Sequence, residues 1–147
     1  MALAQINDSL NTFTGYAREA VSAGQLVKAG SDGAYTNAVT SAGVSSYDSG
    51  DIQVMLVDAS GDGKFVAGIA LEDASSGGTV TVATEGLFIL PTQEAVTPGN
   101  PVMCSEVTDA FANSVSKVNA GDEIDKIGRA LSGTSASGTY AIIALRV

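Results

Sequence analysis

Histidine and tryptophan are absent from this 147-residue chain, and cysteine occurs once. Without histidine the commonest general base and metal ligand is missing, so Ser-His and Cys-His nucleophilic pairs are excluded. A Ser-Lys pair stays formally open among Lys28, Lys64, Lys117 and Lys126, but no local motif supports one. The single cysteine excludes an intrachain disulfide, and the strand-like setting Pro101-Val-Met-Cys104 reads as a small buried hydrophobe. Basic residues are scarce: 7 against 16 acidic ones, a formal charge of −9. That balance offers no electrostatic footprint for a phosphate backbone or an anionic membrane, and the expected surface is acidic and soluble. No apolar run approaches the ~20 residues that span a bilayer. The start, Met1-Ala-Leu-Ala-Gln-Ile-Asn-Asp8, lacks the basic and apolar regions of a signal peptide, so synthesis in a cytoplasm is expected. Phosphate-cradling loops are missing as well, since Gly24-Gln, Gly77-Gly78 and Gly128-Arg fit neither Gly-x-Gly-x-x-Gly nor a Walker loop. No cofactor, metal or catalytic residue is expected.

What is present is turn-rich β material with small side chains. Hydrophobic residues make up 45% of the chain but aromatics only 5%, and glycine occurs 17 times. Such thin cores gain stability by self-association, which makes an oligomer the expectation. One motif occurs twice. Gly68-Ile-Ala-Leu71 followed by Gly78-Thr79 returns 60 residues later as Gly128-Arg-Ala-Leu131 followed by Gly138-Thr139. Upstream, Ala23-Gly-Gln-Leu-Val27 is matched by Pro98-Gly-Asn-Pro-Val102, with Gly24/Gly99 and Val27/Val102 aligned. A fixed-period repeat is one supersecondary unit used twice. The first copy is 15 residues longer between these landmarks (68 − 24 = 44 against 128 − 99 = 29), and the polar stretch 30–50, with Tyr35 and Tyr47, is the place for the excess.

Strand signals fill the rest. Ile52, Val54 and Leu56 alternate with Gln53 and Met55; Phe65 to Leu71 is apolar with a glycine at its middle; Thr79 to Ala83 alternates. Glu85-Gly86 reads as a turn into Gly86-Leu-Phe-Ile-Leu90, which Pro91 ends. Phe111, Val115 and Val118 suit a weaker strand or a turn, Ile124 and Ile127 lead into the second motif, and a strand closes the chain at Val147. The expected fold is all-β, a compact small barrel or sandwich of two pseudo-repeats over residues 21–147. Residues 1–20 read as a separate arm. Leu3, Ile6, Leu10 and Phe13 recur at near-helical spacing, yet Asn7, Asp8, Ser9, Asn11 and Thr12 are poor helix formers. Both a short amphipathic helix and an extended arm that orders on a neighbour fit this pattern.

Two acidic motifs invite chemistry and have plainer readings. Asp58, Ser60 and Asp62 followed by Gly63 mimic the opening of a calcium loop, but the twelfth position is Ile69 where a glutamate belongs. Gly61 and Gly63 are equally what a tight hairpin needs, and the loop reads as a turn. Glu72-Asp73 would point to opposite faces of a strand and so would not share a site; a solvated turn is expected.

The ordered set Ala23-Gly-Gln-Leu-Val27, Val66-Ala-Gly-Ile-Ala-Leu-Glu-Asp-Ala74, Gly78-Thr-Val-Thr-Val82, Glu85-Gly86, Thr97-Pro-Gly-Asn-Pro-Val102 and Ile127-Gly-Arg-Ala-Leu131 closely resembles the small capsid-cement or head-decoration proteins of tailed phages. The likeness runs from about residue 20 to the closing strand Tyr140 to Val147, excepting 30–50; a looser one links the same region to lambda-type head-stabilising proteins. The resemblance implies a β-barrel-like virion subunit on the outer surface of an expanded head. There it would hold neighbouring major capsid proteins together, commonly as a trimer, with no substrate. It further implies an N-terminal arm that binds the capsid, for which Leu3, Ile6, Leu10 and Phe13 are the candidate side chains, while Gly68, Ala70, Leu71, Gly128, Ala130 and Leu131 form the repeated turn motif read from the sequence itself. A different reading, a carbohydrate- or host-binding β module of a virion fibre, rests on Tyr35 and Tyr47 as stacking side chains.

Overall fold

A computed structural model describes residues 11–29, 52–57, 65–105, 114–118 and 126–147. Among them run nine strands and no α-helix: β1 (Asn11–Ala17), β2 (Leu26–Ala29), β3 (Ile52–Leu56), β4 (Val66–Ala70), β5 (Thr79–Pro91), β6 (Pro101–Cys104), β7 (Val115–Lys117), β8 (Lys126–Ala130) and β9 (Tyr140–Arg146). The all-β expectation holds. The sheet order β1-β3-β2-β4-β5 closes on itself, because β1 also pairs antiparallel with β5 and parallel with β3. That circuit is a closed five-stranded barrel.

The second copy retraces it. Strands β7, β6, β8 and β9 follow one another to the later half of β5. The return from β7 to β5 is a single parallel bridge, Thr92 to Val115, with the Gln93 N–H donating to the Val115 carbonyl at 2.9 Å. Register shows how closely the copies match. Phe13 faces Val82 across β1–β5 and Phe88 faces Ile143 across β5–β9; Gly15 faces Val80 as Leu90 faces Ala141. Pro91 stands where Tyr16 stands in the first copy. Tyr16 pairs with Gln53, but proline has no N–H to give, so the second circuit closes on fewer bonds.

This alignment moves two boundaries drawn from sequence. Residues 11–17 are not part of an arm: they are the first strand of the first barrel, equivalent to 86–92. The threonine-rich, β-branched run Asn11-Thr-Phe-Thr-Gly-Tyr-Ala17 is strand material, and its neighbours in the sheet outweigh the helical spacing of Leu10 and Phe13. Glu85-Gly86 is likewise not a turn. β5 runs straight through it for 13 residues, and Gly86, at φ 151°, lets the strand pass from one barrel wall into the other.

The length difference can now be placed. Twenty-seven positions separate Val27 from Val54, but only 13 separate Val102 from Val115, so 14 extra residues lie between β2 and β3. One more lies between β3 and β4, since Val54 to Gly68 is 14 positions and Val115 to Gly128 is 13. The stretch 30–50 itself, with Tyr35 and Tyr47, lies outside the described residues, as do the loop 58–64 and Phe111.

Each barrel has its own filling. Ala17, Val21, Val27, Val54, Ala70, Val80 and Val82 form one buried cluster, with Phe13 packed against it. Their counterparts Val96, Val102, Val115, Ala130, Ala141 and Ile143 belong to the second cluster, joined by Phe88 and Leu90. A five-stranded barrel is too narrow for many large side chains, which accounts for the Ala/Val-rich, aromatic-poor composition. The second cluster also takes in Leu26, Ile69 and Ala83 from the outside of the first barrel. The two barrels therefore share a core as well as a strand.

Candidate docking surface

The repeated motif is the joint of each barrel. Val27 stands opposite Gly68 and Val102 opposite Gly128, and β2 and β6 each carry a bulge at that step. A bulge facing a glycine sharpens the twist so that a short sheet can close. Both glycines are also points of close approach. A Cβ on Gly68 would lie 2.1 Å from the Ala83 carbonyl oxygen, and one on Gly128 would lie 2.4 Å from that of Ala144. Ala70 and Ala130 are fully buried, and each donates its N–H, to Gln25 and Asn100 respectively, at 2.9 Å in both copies. The motif is structural at five of its six positions.

Leucine is where the copies part. Leu71 packs against the shared core, whereas Leu131 is 48% exposed. The Gly-Thr landmarks also slip by one residue. Gly77 (φ 81°) and not Gly78 is the counterpart of Gly138 (φ 78°), as their N–H bonds to Ala17 and Thr92 show at 2.7 and 2.8 Å.

The carboxylates of the first copy are absorbed by backbone. Glu72 Oε1 accepts from both the N–H and the hydroxyl of Thr81 at 2.8 Å; in the second copy Ser132 Oγ takes the matching N–H of Ile142 at 2.8 Å. Asp73 accepts from the Ala23 N–H at 2.8 Å, a donor that Pro98 lacks, and Gly133 stands in place of the aspartate. Glu19 and Glu94 are a further matched pair, accepting from the N–H groups of Leu56 and Lys117 at 2.9 Å. Glu72 and Asp73 thus face different partners and make no carboxylate pair. The hydrogen bonds from the Thr81 side chain and then its backbone hold the Glu72 carboxyl below its ordinary pKa. A depressed carboxyl adds stability that is present above its unfolded pKa and lost as pH falls through the folded one. Wild-type thermal stability should therefore drop on acidification below the ordinary glutamate range, and Glu72→Gln should flatten that limb. Equal slopes for the two proteins would show that Glu72 contributes nothing there.

Of the residues expected to bind a partner, Leu3, Ile6 and Leu10 lie outside the described residues, while Phe13 lines the first barrel. The groove that is described lies elsewhere. About 560 Å³ in volume, it runs along the outside of the second barrel beside Leu87, Ala144 and Leu131, with Lys126, Arg129 and Arg146 on its rim. Asn11, the first described residue, lines it too, its side-chain amide donating to Glu85. Among the described residues no cluster of three metal-ligating side chains occurs, and no helix is long and apolar enough to cross a membrane. Sequence reading missed this groove because its lining comes from four strands, β1, β5, β8 and β9, that are distant in the chain.

Set beside known proteins, the duplicated barrel finds its class. Its fold matches the N base of the head fiber gp8.5 of bacteriophage phi29, with a TM-score of 0.56 over 93% of this chain and 94% of that one, at 11% sequence identity. No curated protein matches it significantly. The phage cement protein family, however, matches residues 4–147, essentially the whole chain, and the protein belongs to that family. It is a phage structural protein and a component of the virion, associated with the capsid.

Proposed function

We propose that this protein binds the outer surface of the phage head and cements neighbouring major capsid protein subunits, stabilising the expanded shell. The observation that carries the reading is the match to the cement family along nearly the full chain. The fold likeness to the base of a head fiber is consistent with a body that sits on a head. The structure adds a physical reason: on an acidic body, Lys126, Arg129 and Arg146 line one groove together with Leu87, Ala144 and Leu131. Residues 1–10, with Leu3, Ile6 and Leu10, act as an additional anchor, and several weak contacts made by a trimer give slow dissociation through multivalency.

The test is a deletion of the gene followed by heat and osmotic shock of the particles. Heads without the protein should release DNA at lower temperature, full-length protein should restore them, and protein lacking residues 2–10 should restore them less well. Unchanged robustness of the deleted particles would sink the cementing role.

A further inference from the structure

We infer that the outer sheet face of the second barrel is the surface that meets the capsid, and that it takes an acidic segment carrying aliphatic side chains. This rests on the head-binding reading and extends it to a site. The decisive comparison is internal to the molecule. Because the copies align residue by residue, each outward position of the second barrel has a counterpart under the same backbone constraints. Where the first barrel has Thr12, Thr14 and Thr81, the second has Leu87, Ile89 and Ile142. The fold does not require apolar groups at these positions, since the first copy builds the same ladder with threonine.

These residues lie together. Ile89 pairs with Ile142, whose carbonyl accepts the Leu131 N–H at 2.8 Å, and Leu87 pairs with Ala144, which pairs with Arg129. Tyr140 extends the row at one end. Ile89, Leu131 and Tyr140 are 36%, 48% and 57% exposed. On the first barrel the positions matching Arg129 and Leu131, namely Ile69 and Leu71, are covered by the second barrel. On the second barrel nothing among the described residues takes that place. A clustered apolar face left open marks an interaction site.

Charge selects the partner. Lys126, Arg129 and Arg146 border this face, three of only seven basic residues in a chain of net charge −9. Glu85 stands opposite Arg146 in register but engages the Asn11 amide. A cationic rim around an aliphatic centre fits a carboxylate-bearing, aliphatic segment. The family match along nearly the whole chain selects the capsid, over a second copy, as the bearer of that segment.

The experiment uses full-length protein and expanded heads purified from the cognate phage lacking this gene. Leu87→Thr/Ile89→Thr/Ile142→Thr installs the first copy's residues and should lower head occupancy in a sedimentation assay at least tenfold. Arg129→Glu/Arg146→Glu leaves the apolar centre intact. It should also lower occupancy at least tenfold at low salt and abolish the weakening by salt that wild type shows. If the triple variant misfolds, the charge variant decides alone. Occupancy equal to wild type in a folded variant overturns the inference while leaving head binding intact. A change of oligomeric state in light scattering, with occupancy lost only alongside it, overturns it in favour of a self-contact. Failure of wild type itself to bind the heads removes the functional reading and this site with it.

Discussion

Gly68→Ala should lower the melting temperature by roughly 10 °C, at about 3 °C per kcal/mol for a chain of this size. Two costs combine. The φ of 151° is one that side-chain-bearing residues rarely adopt, and such strain costs about 1–3 kcal/mol. The new methyl would also lie 2.1 Å from the Ala83 carbonyl oxygen and 2.8 Å from Val82 Cγ1, forcing β4 away from β5. Overpacking of this kind adds about 1–3 kcal/mol. Gly99→Ala separates the two contributions, because Gly99 has φ 93° but open space around its missing Cβ. It should cost about 1–2 kcal/mol, from strain alone. Thermal unfolding by circular dichroism measures both, and equal stabilities for the two variants would refute the close-approach account.

Removal of residues 2–18 should abolish cooperative folding. The deletion takes away β1, which holds six register pairs with β5 and three with β3. With it go Phe13 and Ala17 from the first core, and Val80, Val82 and Val54 lose their cover. Open strand edges on either side of the gap would also invite aggregation. Because β5 serves both barrels, the second should loosen as well. Urea unfolding should show a reduced m-value or no transition, as expected when less surface is buried. A truncation ending before Asn11 keeps every one of these pairs and should unfold as wild type does. A cooperative transition at the wild-type midpoint after removal of 2–18 would show that β1 is dispensable.

The contrast between those truncations marks where the sequence could be read and where it could not. The motif Gly-x-Ala-Leu was legible as a repeat because identical local constraints, a bulge partner and a close approach, call for identical small residues. The strands Ile52–Leu56, Val66–Ala70 and Tyr140–Arg146 announced themselves by alternation or by unbroken apolar runs. β1 did not, since its alternating residues are threonines and its helical echo comes from residues before it. Its counterpart 86–92 reads Gly-Leu-Phe-Ile-Leu-Pro-Thr, sharing little with 11–17 beyond the phenylalanine, so the residue match between the copies starts only at Ala23 and Pro98, 12 residues after β1 begins. The through-running β5 was hidden for a related reason. Glycine after an acidic residue signals a turn in most contexts, and only a second barrel on the far side makes a straight strand the better solution. The groove face could not be seen at all until register set Leu87, Ala144 and Arg129 side by side.

The shared strand also sets how the molecule answers force. Two domains joined by a loop flex about that loop, and a pull on one is largely absorbed before it reaches the other. Here the connection is β5 itself, hydrogen-bonded along its first half to β1 and β4 and along its second to β9. Thirteen residues at about 3.4 Å each make a strut of at most ~45 Å. A load applied near Asn11 enters the β1–β5 ladder and passes along that strut to the second barrel's outer face. Rupture then requires many backbone bonds to shear together rather than open one after another. Stretched between two anchor points, the protein resists their separation through its stiffness, independently of how tightly either end holds.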